Sequence, residues 1–147
     1  MSSYYFGDVP ISTFRCFADP LGEVVQFYGF PFRDDTMFYK AVVDPSWVAG
    51  EGEEPNLEVA LDVIKRAAHY NRITIVSVWT DTEETDIDFM VAVASVAKGA
   101  DPSRAARLSA EQLRIIAQAA RLEGVNARWM RAMYTSQELR EMNVPEL

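Results

Sequence analysis

The sequence predicts an α+β fold. An aromatic-rich antiparallel β region in the N-terminal third packs with three to four helices around a central strand at 72–80. Three observations carry that expectation. The run RITIVSVWT, Arg72–Thr80, is short, apolar and dense in β-branched residues, which are stiff at χ1 and suit a pleated surface. Both of its faces are mostly apolar, as in a strand covered on two sides. Twelve of the seventeen aromatic residues fall within residues 1–47, among Val24, Val25, Val42 and Val43, which favours strands there. Leu57, Ala60, Leu61, Ile64 and Ala68 then recur at the spacing of an amphipathic helix.

Composition sets the bounds. The chain has 147 residues, 49% hydrophobic and 24% charged, which is one globular domain rather than a disordered segment. The single cysteine, Cys16, excludes an internal disulfide framework and fits a reducing compartment. The opening MSSYYFGDVP lacks the basic and apolar regions of a secretory signal. The longest apolar stretch, Phe89–Ala97, is about half the length a membrane helix needs. A soluble chain is expected, cytoplasmic or carried within a particle assembled there. Net charge is −8 and unevenly placed. Residues 1–100 hold 16 acids and 7 bases, net −9; residues 101–147 hold 6 acids and 7 bases, net +1, every base an arginine. That balance argues against nucleic acid as a partner and leaves room for a basic one.

Taken in order, residues 3–48 are β-rich. The best element is a hairpin, Thr13–Ala18 with Glu23–Phe30, joined by Asp19-Pro20-Leu21-Gly22, the residue order a type I turn prefers. Pairing Ala18 with Glu23 puts Phe14, Cys16, Val25 and Phe27 on one face, the core candidate. Met37–Asp44 reads as a third strand. The run FADPLGEVVQFYG, Phe17–Gly29, resembles the closing hairpin of the vicinal-oxygen-chelate (glyoxalase-like) fold, where such a turn leads into a strand bearing a metal-binding Glu. This chain has Gln26 at that place, and only sixteen residues precede the run where that family has a βαββ stretch, so the hairpin is read as scaffold.

Ala49–Pro55 is an acidic, glycine-containing loop, a surface connection or a contact for a basic partner. Asn56 caps the amphipathic helix, Asn71 is its expected C-terminal stop, and 56–80 forms a helix–strand unit. Residues 82–142 read as mainly helical. In 85–97, Ile87, Met90, Val91 and Ala94 match a helix, while Ile87, Phe89, Val91 and Val93 match a strand. The helix reading is preferred, with Thr82 as cap; the alternative is a β-hairpin with an acidic tip. Asp101-Pro102-Ser103 opens another helix, and Ser109 with Gln112 forms a capping box for one running to a stop at Gly124. Val125–Tyr134 reads as either a renewed helix or a last strand, with the strand preferred, and Ser136–Met142 is a short capped helix.

Two surfaces are candidate sites. Trp79, Asp81, Glu83, Glu84 and Asp86, with Asp88, lie beyond the end of the 72–80 strand, where open α/β sheets place ligands. Their spacing lacks the glycine and final glutamate of an EF-hand, so no metal is assigned. Arg107, Arg114, Arg121 and Arg128 recur every seven residues, and on a continuous helix would form a docking stripe with Trp129. No catalytic residues and no cofactor are assigned: His69 closes a helix, where the dipole favours positive charge, and no cysteine-enzyme motif surrounds Cys16. The expected function is that of a non-enzymatic protein–protein interaction component, an assembly, adaptor or inhibitor-type accessory protein such as phages and mobile elements carry. Its partner would be another protein or a second copy. A small-molecule or metal-dependent enzyme using the acidic loop is the alternative, and an acidic mimic of nucleic acid the third reading.

Overall fold

The computed structural model describes residues 5–6, 9–10, 24–50, 52–81, 83–97, 108–145 and 147. The elements run β1 (Tyr5–Phe6), β2 (Val9–Pro10), β3 (Val24–Phe32), α1 (Asp35–Val42), α2 (Leu57–Ala68), β4 (Thr74–Trp79), β5 (Ile87–Ala97), α3 (Ala110–Ala119), β6 (Arg128–Thr135) and α4 (Ser136–Glu141). The mixed α+β class holds. Strands β1 and β2 pair as a small ribbon, and the other four close an antiparallel barrel in the order β3-β5-β4-β6.

Alternation along these strands divides the core in two. Tyr28, Phe30, Phe32, Val91 and Trp129 point to the face covered by Phe38 of α1, Ala60 and Ile64 of α2, and Ile116 of α3. Val25, Phe27, Val76, Val78, Met90 and Ala92 point to the other face, with Met130 and Ala132 of β6 and with Leu139 and Leu147 packed among them. Opposite Tyr28 and Gly29 the register of β5 steps from Ala94 to Ala92, so Val93 is the extra residue of a β-bulge.

The helix–strand unit forms as its caps and stripe require. Asn56 Oδ1 accepts from the N–H groups of Glu58 and Val59 at 3.1 and 3.3 Å, and Ala60 and Ile64 are fully buried. Its C-terminal stop is His69, not Asn71. His69 takes the left-handed conformation (φ 52°) while Tyr70 N–H reaches back to Lys65 O at 3.2 Å, a Schellman closure. The capping box of Ser109 and Gln112 is present, but α3 stops earlier than expected, at Arg121 (φ 59°) instead of Gly124, with Leu122 N–H donating to Ala117 O at 2.8 Å. Strand β6 and capped helix α4 match the reading of 125–142 closely.

Two expectations are overturned. Met37–Asp44 is not a strand; α1 occupies it. Asp34 accepts from Met37 N–H at 3.0 Å, and Phe38 stacks on Phe32 with ring centroids 3.8 Å apart, so a local cap and one aromatic contact decide the conformation. Residues 87–97 are not a helix but strand β5, so 82–142 is not mainly helical. Met90 through Ala94 are at most 1% exposed because both faces of β5 are covered, which erases the alternation that identifies a strand. Thr82 as a cap, the first arm and turn of the 13–30 hairpin, and the helix from Asp101 lie outside the described residues. Among the described residues no helix is long and apolar enough to cross a membrane.

Candidate functional site

The acidic run is the tip of the β4–β5 hairpin, where Trp79 pairs in register with Ile87. Thr80 N–H donates to Asp86 O at 2.9 Å, and Thr80 Oγ1 to Asp86 O and Oδ2, each at 3.1 Å. Thr85 donates twice to Asp81, from N–H at 2.9 Å and from its hydroxyl. Glu84 supplies the left-handed residue of the turn (φ 58°). Two arginines then tie the tip to neighbouring strands. Arg33, just past β3, binds Asp86 and reaches Asp88 Oδ1 from Nε at 2.8 Å. Arg131 of β6 binds Glu84.

This arrangement sets the electrostatics. Hydrogen bonds from Arg33 and then Thr80 hold the Asp86 carboxyl below its ordinary value, and those from Thr85 do the same for Asp81. Bonding to Asp86, then Asp88, raises the Arg33 guanidinium. Of the predicted acidic site, the structure therefore gathers Asp81, Glu84 and Asp86 at one tip, where they hold the turn and its ion pairs; Glu83 is exposed and Trp79 half-buried. Among the described residues no group of three or more His, Cys, Asp or Glu side chains is placed to hold a metal ion.

The arginine stripe does not form. Helix α3 ends before Arg121, which sits in its closing turn, and Arg128 opens β6, so no continuous helix joins the series. Arg114 binds Glu111 on its own helix, with Nε 3.0 Å from Oε2. Trp129 is fully buried against Tyr28, ring centroids 5.4 Å apart, because alternation along β6 turns it into the core. Arg107 and Cys16 lie outside the described residues, and His69 is exposed at the end of α2.

A different surface emerges at the seam between β4 and β6. Val78↔Ala132 is the one register pair between these strands among the described residues. A continued ladder would set Val76 opposite Tyr134. Instead β6 bulges, a step of two along β3 (Val24 to Gln26) matching a step of four along β6 (Arg131 to Thr135), and then turns into α4. The seam opens into an apolar cleft of about 160 Å³. Ile75, Val76 and Ser77 form its β4 wall, Tyr134, Leu139 and Met142 the opposite one, and Leu57, Phe89 and Val144 complete the lining. Met142, on the rim, is 52% exposed. Next to the lining residues Leu57, Leu139 and Met142 in the chain stand three exposed acids, Glu58, Glu138 and Glu141, and one base, Arg140. Sequence reasoning missed this cleft because the opening depends on where β6 leaves the barrel, and no residue pattern along the chain encodes that departure.

Compared with protein-family models, curated proteins and solved structures, the chain matches none. The likeness of Phe17–Gly29 to the vicinal-oxygen-chelate hairpin thus stands on those residues alone. Gln26, at the place of that family's metal ligand, is 3% exposed and lies opposite Arg131 in register.

Proposed function

We propose that the chain is a non-enzymatic protein–protein interaction component, an assembly, adaptor or inhibitor-type accessory protein. The observation that carries this reading is the open seam: beyond Val78↔Ala132, the Thr74–Ser77 edge of β4 has no register partner on the β6 side among the described residues, and an edge of that kind beside an apolar hollow is a geometry that recognises other chains. In this reading β4 is the strand the fold is organised around, joining the core to the docking surface. The enzymatic alternative draws less support. A general acid needs a carboxyl raised toward neutral pH, whereas Asp81 and Asp86 are held low and charged. An acidic surface with net charge −8 also favours a protein partner over nucleic acid.

The test is affinity capture from the source cells with the wild-type chain and with Ser77→Arg, which fills the cleft. A partner recovered in stoichiometric amount by the wild type and lost with the variant supports the proposal. A thermal-shift screen in which a divalent cation or metabolite raises the melting temperature, with no such partner recovered, would return the chain to the enzyme class.

A further inference from the structure

We infer that the β4–β6 seam takes an extended, basic segment of a partner protein, which adds a strand along Thr74–Ser77 and places one apolar side chain in the cleft. The inference rests on the interaction reading and names its partner class. Three observations converge on that occupant. The β4 edge from Thr74 to Ser77 has no register partner on the β6 side among the described residues, so an added strand finds a template there. The cleft of about 160 Å³ is sized for one ring or one branched aliphatic side chain, as an engineered cavity of about 150 Å³ is for benzene. The residues next to Leu57, Leu139 and Met142 in the chain carry three exposed acids against one base, which selects lysine or arginine flanking the anchor. The same charge disfavours a second copy. A two-fold interface sets a patch against itself, so these acids would meet their own equivalents.

The probe is a labelled nonapeptide, acetyl-Lys-Arg-Thr-Val-Leu-Val-Thr-Arg-Lys-amide, read by fluorescence anisotropy on the intact chain beside a version with Asp and Glu flanks. The basic probe is expected to bind about tenfold tighter than the acidic one, and to weaken as salt screens the rim. The double variant Glu58→Lys/Glu141→Lys, both exposed, narrows that preference about fivefold or more. Ser77→Arg abolishes binding; because it also alters β4 itself, Met142→Lys on the exposed rim gives the second reading and also abolishes it. Equal binding of the two probes, binding that survives Met142→Lys, or no binding of either overturns the inference. So does a dimer, seen by light scattering, that Met142→Lys dissolves, although that result leaves the interaction reading standing. The capture experiment reports on that reading independently.

Discussion

Gly29→Ala is the sharpest test of the barrel. Gly29 sits on β3 opposite the bulge of β5. A Cβ there would overlap Val91 O and lie 2.7 Å from Ala92 Cα and 2.8 Å from Val91 C. All three are backbone atoms, so no side-chain rotation relieves the overlap, and β3 and β5 must separate along the strand pair that joins both halves of the core. Overpacking a core with one methyl group costs about 1–3 kcal/mol when side chains can adjust; with backbone as the obstacle, about 3 kcal/mol or more is expected. For a chain of this size that is a fall in Tm of roughly 6–12 °C. Urea unfolding followed by circular dichroism measures the free-energy loss and a thermal melt the fall in Tm, with Gly124→Ala as control, since a Cβ at Gly124 meets nothing within 4 Å. The control should lie within about 1 kcal/mol of wild type. A Gly29→Ala protein within about 0.5 kcal/mol of wild type would refute the close approach of β3 to β5.

Trp129→Ala should cost about 3–5 kcal/mol in the same assay, since its side chain is fully buried; near-wild-type stability would contradict that burial. Ser109→Ala removes the oxygen that accepts from Gln112 N–H at 3.1 Å and should cost about 1 kcal/mol, and an unchanged urea midpoint would count against the capping box. The Asp86 carboxyl is depressed on folding, so its contribution is present above the ordinary value of about 3.9 and lost as pH falls through the folded value. The stability gap between wild type and Asp86→Asn should hold from neutral pH to about 4 and close below it. A gap that widens on acidification would contradict the pairing with Arg33.

What could be read from the chain was local. Asn56 and Ser109 announce their helices because each cap is a bond between near neighbours; the helix read over Ser136–Met142 is capped by Thr135, which closes a capping box with Glu138. One local signal was missed: Phe38 suits a strand by propensity, but Asp34 caps α1 from three residues away and Phe38 stacks on Phe32. The other misreading of an element occurred where distant packing decides. In β5, helix and strand periodicity coincide because both faces are buried from Met90 to Ala94, and the acids before the strand look like a helix start although they shape a hairpin tip. That tip was legible as the alternative, and its composition correctly marked a polar, charged turn. The arginine series failed for a related reason: its seven-residue spacing means a stripe only on an unbroken helix, and the left-handed Arg121 breaks it. The cleft had no local signature at all.

Amide hydrogen exchange of β4, read by NMR with and without the basic nonapeptide, addresses the docking edge directly. If the seam is the recognition surface, the peptide slows exchange within Thr74–Ser77 while amides of α1 and α3 keep their rates. Unchanged exchange in Thr74–Ser77 at saturating peptide, or protection appearing only at the Thr80–Asp86 tip, would contradict it.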